Sequence, residues 1–177
     1  MTEEIINKVA KIGLITIDLS DFSKGVLIDE FDIKKFLFGG LVLKEKDFRK
    51  SLKEYDFSKY QNKIVAVFCS SQSIIPMWAY MLIASSLNGF SNNIYFGNKK
   101  TVLQKIMLEK INKIDGSKYA NKKVIIKGCG EIPLCEDLYL AITKKLQPNV
   151  ISLMFGEACS AVPVYKKRIK LIQKLLK

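Results

Sequence analysis

Between Lys63 and Lys99 no side chain is charged, and the order of apolar and polar positions there predicts a complete βαβ unit. Residues 64–69 form an apolar, β-branched run that reads as a strand, and 70–73 is a polar turn. Residues 74–87 have helical length, 88–93 hold turn residues, and 94–97 read as a second strand. The pattern then returns. Tyr60-Gln-Asn-Lys-Ile-Val-Ala-Val-Phe-Cys69 is echoed by Tyr119-Ala-Asn-Lys-Lys-Val-Ile-Ile-Lys-Gly-Cys129, and Ile94-Tyr-Phe-Gly97 by Leu153-Met-Phe-Gly156. Each copy carries a cysteine just past its first strand.

Residues 1–58 read as a lead-in. Helix 2–11 is capped by Thr2 and ended by Gly13, strand 14–19 follows, and 20–25 is a turn. Phe31-Asp32 opens a short helix over 33–38 that Gly39-Gly40 closes, and helix 44–55 puts Phe48 and Leu52 on one side. Beyond the first βαβ unit, helix 99–114 turns Leu103, Ile106, Met107 and Ile111 inward. Strand 124–127, helix 133–146, strand 150–155 and helix 163–176 complete the chain. Strands separated by helices imply a parallel sheet with right-handed crossovers. The expectation is an α/β protein of three layers with a mostly parallel sheet and two internal βαβ repeats. Counting strands from residue 64, the expected order is flavodoxin-like, 2-1-3-4. All 177 residues form one domain in this reading, with the lead-in packed on a 59–177 core. Helix 74–87 is apolar nearly all round, so either the lead-in or a second subunit must cover its outer face.

A chain of this length buries a core without staples. The acidic start, Met1-Thr-Glu-Glu-Ile-Ile, has no apolar segment of a cleavable signal. The longest apolar run, 74–84, falls short of the roughly 20 residues that span a bilayer. The expectation is a cytoplasmic protein with no membrane partner. A net charge of +12 raises nucleic-acid binding, but only Arg49 and Arg168 are arginine and the lysines are scattered. Base and phosphate recognition favours the planar arginine fork, so a solvated lysine surface is the expected reading.

The chain has no histidine, which removes imidazole metal ligands, Ser-His-Asp triads and Cys-His dyads. It has four cysteines, expected to be reduced. Ligands in open parallel sheets gather beyond the carboxyl ends of the strands, and Cys69, Cys129 and Cys159 all fall at such ends. The runs Cys129-Gly-Glu-Ile-Pro133 and Cys159-Ser-Ala-Val-Pro163 put each cysteine in a turn entering a predicted helix, whose positive end favours a thiolate. Three thiols at one rim could share a metal, with Glu131, Glu157 and Cys135 as extra ligands. The competing reading is that each is an ordinary small core residue. Cys-x-x-Cys, Walker-type and Gly-x-Gly-x-x-Gly patterns are all missing, and the Cys129 loop lacks the arginine of phosphatase or rhodanese loops.

The chain resembles the bacterial family catalogued as domain of unknown function 2480. The resemblance rests on Glu4-Ile-Ile-Asn-Lys-Val9, Gly13-Leu-Ile-Thr-Ile-Asp-Leu19, Phe31-Asp-Ile33 and Leu43-Lys-Glu-Lys-Asp-Phe-Arg49. It continues through Cys69, Pro76-x-Trp-Ala-Tyr-Met-Leu82, Ile126-Lys-Gly-Cys-Gly130 and Met154-Phe-Gly-Glu157 with Cys159-Ser160. Departures are Phe36 in place of tryptophan, Ala158 in place of proline, and the additional Cys135. The resemblance implies an association with iron–sulfur assembly systems of the sulfur-mobilisation type.

Three functional readings follow. The first is an accessory protein of iron–sulfur assembly that holds zinc, a cluster or sulfur through Cys69, Cys129 and Cys159, with assembly proteins as partners. The second is a non-catalytic interaction or scaffold module with structural cysteines, including a homodimer. The third is a thiol enzyme with Cys129 as nucleophile.

Overall fold

The computed structural model describes residues 13–128 and 132–168. The expected helix 2–11 lies outside them, as do Cys129 and Glu131. The chain divides into two compact units, one formed by Met1–Lys24 with Ile106–Lys177 and the other by Gly25–Lys105.

The inner unit, Gly25–Lys105, is built on a three-stranded parallel sheet of order β2-β3-β4. Its strands are β2 (Ile28–Asp32), β3 (Ile64–Phe68) and β4 (Asn93–Phe96), with helices α1 (Glu45–Glu54) and α2 (Met77–Leu87) between them. Val65, Ala66 and Val67 are buried in sequence along β3, as a strand covered on both faces requires. Around them pack Phe31, Ile33, Phe48, Leu52, Phe57, Tyr60 and the α2 residues Ala79, Ile83 and Leu87. Phe31 stacks on Phe36 and Phe57 at ring separations of 5.1 and 6.0 Å.

The outer unit holds a four-stranded sheet of order β1-β5-β6-β7. Strands β1 (Leu14–Asp18), β5 (Lys123–Lys127) and β6 (Ser152–Phe155) are parallel; β7 (Val162–Lys166) is antiparallel to β6. Helix α4 (Glu136–Leu146) buries Leu138, Ile142 and Leu146. Helix α3 (Lys99–Asn112) passes from the inner unit into the outer one and buries Val102, Ile106, Met107 and Ile111.

The α/β class, the mostly parallel pairing and the two βαβ repeats agree with the sequence reading. The order 2-1-3-4 needs correction, because the two repeats do not share a sheet. Each recruits its own third strand from the first 32 residues: β1 pairs with β5 in register Leu14↔Lys123, and β2 pairs with β3 in register Ile28↔Ile64. The inner unit is thus inserted between β1 and the rest of the outer one. β2 was not anticipated, since Ile-Asp-Glu-Phe-Asp buries only Ile28 and Phe31 and lacks period-two alternation. The expected helix 163–176 is also corrected over its described part. Val162-Pro-Val-Tyr-Lys166 is an edge strand, where proline's missing donor costs no ladder bond if it faces outward. Helices expected from residues 74 and 133 begin later, at Met77 and Glu136. Proline disfavours helical backbone in the residue before it, so Pro76 keeps Ile75 out of a helix. The later start of α4 follows the extended backbone of its N-cap, Cys135, at φ −131° and ψ 164°.

The repeat extends further than the sequence echo. One offset relates Asp56-Phe-Ser-Lys-Tyr60 to Asp115-Gly-Ser-Lys-Tyr119, and in both segments the aspartate accepts from the serine amide, at 2.8 and 3.0 Å. The same offset relates Asn62 to Asn121, both at positive φ (59° and 58°). Their amides donate at 2.9 Å to Phe90 and Asn149 carbonyls, which are again equivalent. Gly97 and Gly156, at φ 131° and 110°, close the copies by donating to Val67 and Ile126.

Candidate functional site

At the carboxyl end of the inner sheet, β2 stops at Asp32 and β3 at Phe68, which are register partners. Asp32 accepts from the Lys34 amide at 3.0 Å, starting a 3-10 turn over Ile33–Phe36. It also accepts from the Ser70 amide at 3.0 Å and the Ser70 hydroxyl at 2.6 Å. Burial pushes the Asp32 carboxyl up, but the hydrogen bonds from Ser70 and Lys34 outweigh it and hold the group below its usual range. The carboxylate thereby pins the first residue of the loop leaving β3.

Cys69 is half-buried, unpaired and directly before that loop. Its Sγ shares a hydrogen bond with the Ser71 hydroxyl at 3.1 Å, and Ser71 continues to the Ser73 hydroxyl at 2.7 Å. Tyr80 on α2 is pushed up by burial and by the charge of nearby Cys69, and its ring meets Phe96 edge-on at 5.6 Å. A thiol, three serine hydroxyls and a carboxylate thus stand together where parallel sheets place ligands. Among them, sequence reasoning singled out Cys69. Asp32 was missed because its bonds to Ser70 depend on β2 lying beside β3. The serines follow Cys69 directly in the chain, but their hydrogen-bonded order is not written in the pattern.

In the outer unit the same rim is charged. Asp18 ends β1 and accepts from the Ser20 amide at 2.9 Å and hydroxyl at 2.7 Å. Lys127, ending β5, lies 3.7 Å from Asp18 and 3.5 Å from Glu157. Burial raises the Asp18 carboxyl, yet the Ser20 hydrogen bonds and the Lys127 charge carry it below its usual range. Glu157 is therefore an ion-pair partner of Lys127. Cys159 is exposed in the turn after β6, where the Ser160 amide donates to the Glu157 carbonyl at 2.9 Å.

The helix ends expected to follow the cysteines are corrected here. β7, not a helix, follows Cys159, and α4 starts at Glu136, well beyond Cys129. Cys135 is half-buried and lies at the N-cap of α4 rather than inside the helix. In the strand register Phe68 corresponds to Lys127, so Cys69 corresponds to Gly128. A Cβ at Gly128 would meet the ends of the Leu134 and Tyr139 side chains, which would have to shift to admit it.

Among the described residues, no three His, Cys, Asp or Glu side chains stand close enough to hold a metal ion. The outer unit does have an open apolar groove of about 730 Å³, lined by Ile126, Tyr139, Leu140, Leu153, Phe155 and Val164. Val164 and Phe155 meet there only because β7 is a strand. No helix among the described residues is long and apolar enough to cross a membrane.

Fold and rim together define a duplicated α/β protein in which the unpaired Cys69 and Cys159 follow the ends of parallel strands. The chain belongs to the family described as Protein of unknown function (DUF2480), whose model matches residues 3–167. Neither curated proteins nor solved structures include a match.

Proposed function

We propose that the protein is an accessory factor of iron–sulfur assembly that binds a metal or cluster, or carries sulfur, through Cys69, Cys129 and Cys159. The observation that carries this reading is Cys69: a half-buried, unpaired thiol beyond the carboxyl end of β3, held against a chain of hydroxyls. The exposed thiol of Cys159, beyond the end of β6, supports it. Thiols are the donors that zinc and iron–sulfur clusters take, so the donor chemistry fits.

In the sulfur-carrying form, a thiolate attacks the outer sulfur of a donor persulfide. A new S–S bond forms as the donor's S–S bond breaks, and the donor leaves as a thiolate, with no net oxidation. The hydroxyls beside Cys69 would donate hydrogen bonds to the sulfur that bears charge. Partners in this reading are the assembly proteins that supply and accept the sulfur or metal.

The test is anaerobic isolation of the wild type and of the variant Cys69→Ser/Cys129→Ser/Cys159→Ser, with zinc, iron and sulfane sulfur measured on each. The expected outcome is bound metal or sulfane sulfur in the wild type and its loss in the variant. Equal, near-zero contents in both would overturn the proposal.

A further inference from the structure

The outer face of α2 has the composition of a buried surface and none of the charge of a solvated one. The helix buries Ala79, Ile83 and Leu87, while Met77 is 74% exposed, Met81 72% and the preceding Ile74 94%. Phe96 of β4, 63% exposed and in edge contact with Tyr80, extends the patch.

The other repeat supplies an internal control. Helix α4 buries Leu138, Ile142 and Leu146 at the positions equivalent to Ala79, Ile83 and Leu87. On its outer face Glu136, Leu140, Lys144 and Gln147 stand where α2 has Met77, Met81, Ser85 and Asn88. The same position in the same fold carries an acid and a base once, beside the apolar groove that Leu140 lines, and is uncharged the other time. Contiguous exposed apolar surface of this kind marks an association site.

We propose that this face binds a second copy of the chain, with the two α2 helices antiparallel about a two-fold axis at Met81. Two features select a second copy. The first is charge: two molecules of +12 repel wherever their lysines face each other, and 64–98 is a long stretch free of charge. Two nearby cations are already engaged, Arg49 with Glu45 at 2.9 Å and over the Trp78 ring, and Lys105 with the Phe96 carbonyl at 2.7 Å. The second is shape. Along α2 the exposed ridge runs large to small, from Met77 and Met81 to Ser85. In an antiparallel pair crossing at Met81, Met77 of each copy meets Ser85 of the other, so large faces small on both sides of the axis. A ridge that is its own complement when reversed is what a two-fold contact requires. This dimer stands independently of the thiol chemistry.

The test is sedimentation velocity over a hundredfold concentration range on the wild type, Met77→Glu/Met81→Glu and Leu140→Glu. The expected result is a wild-type dimer, unchanged in Leu140→Glu and weakened about a hundredfold or more in the double variant, because four carboxylates would meet at the axis. Circular dichroism checks that the double variant is folded. Met81→Cys in a Cys159→Ser background gives a second readout: mild oxidation should yield a disulfide-linked dimer that neither Leu140→Cys nor the unaltered position 81 forms in the same background. A monomeric wild type, a dimer that survives both glutamates, or equal cross-linking of Met81→Cys and Leu140→Cys would each overturn the proposal.

Discussion

Asp32 and Asp18 occupy the same place in the two repeats, the last residue of the strand that each unit recruits from the start of the chain. Each caps the turn that follows, but their further partners differ. Asp32 holds the Ser70 amide and hydroxyl, while Asp18 faces Lys127. Both carboxyls lie below their ordinary range, so folding favours the ionised form. The stability this contributes is present above the unfolded carboxylate value near 4 and is lost as pH falls through the lower folded values. Urea midpoints measured from neutral pH downward should therefore fall below about pH 4, and Asp18→Asn/Asp32→Asn should flatten that decline. A variant as acid-sensitive as the wild type would contradict this. Gly116 gives a second test at this scale. A Cβ there would lie 2.7 Å from the Lys145 carbonyl and 2.9 Å from Asn149 Nδ2, and backbone cannot swing aside. Gly116→Ala should cost about 1–3 kcal/mol in urea unfolding.

Among the elements, those carried by a long periodic run were legible in the sequence. α1, α3 and the core of both βαβ units lie where the pattern puts them. Those that depend on a distant partner were not. β2 buries two of its five residues and becomes a strand because β3 offers it a parallel edge. β7 was read as a helix because Pro163 is as acceptable in a first helical turn as on a strand edge, and only β6 decides between them. The turn residues entering β3 and β5 were seen as an echo, but their left-handed backbone was not. Asn62 and Asn121 hold φ near 60° because asparagine tolerates that region better than other residues with a Cβ. Replacing either by alanine should cost about 1 kcal/mol, while glycine should be close to neutral. Chemical denaturation of the four single variants checks this, and an alanine series as stable as the glycine series would contradict it.

For the whole molecule, the sequence reading captured the α/β class and the duplication but placed both repeats in one sheet. Nothing in local periodicity could show that β1 and β2 are each taken by a different repeat, leaving one unit inserted in the other. The same limit applies to the candidate site. Its thiols could be named from their positions after strands, yet Asp32, which pins the loop after Cys69, comes from a strand far away in the chain. Cys69 gained a carboxylate and three hydroxyls as neighbours, Cys159 proved exposed, and Cys135 moved from a helix interior to a helix cap. The central claim is that the strand-end thiols, and not every cysteine, carry the function. It is tested most directly by the zinc, iron and sulfane sulfur bound per chain in anaerobically isolated Cys69→Ser and Cys135→Ser, side by side. The account predicts that Cys69→Ser loses what the wild type holds while Cys135→Ser keeps it; equal contents in the two variants would contradict it.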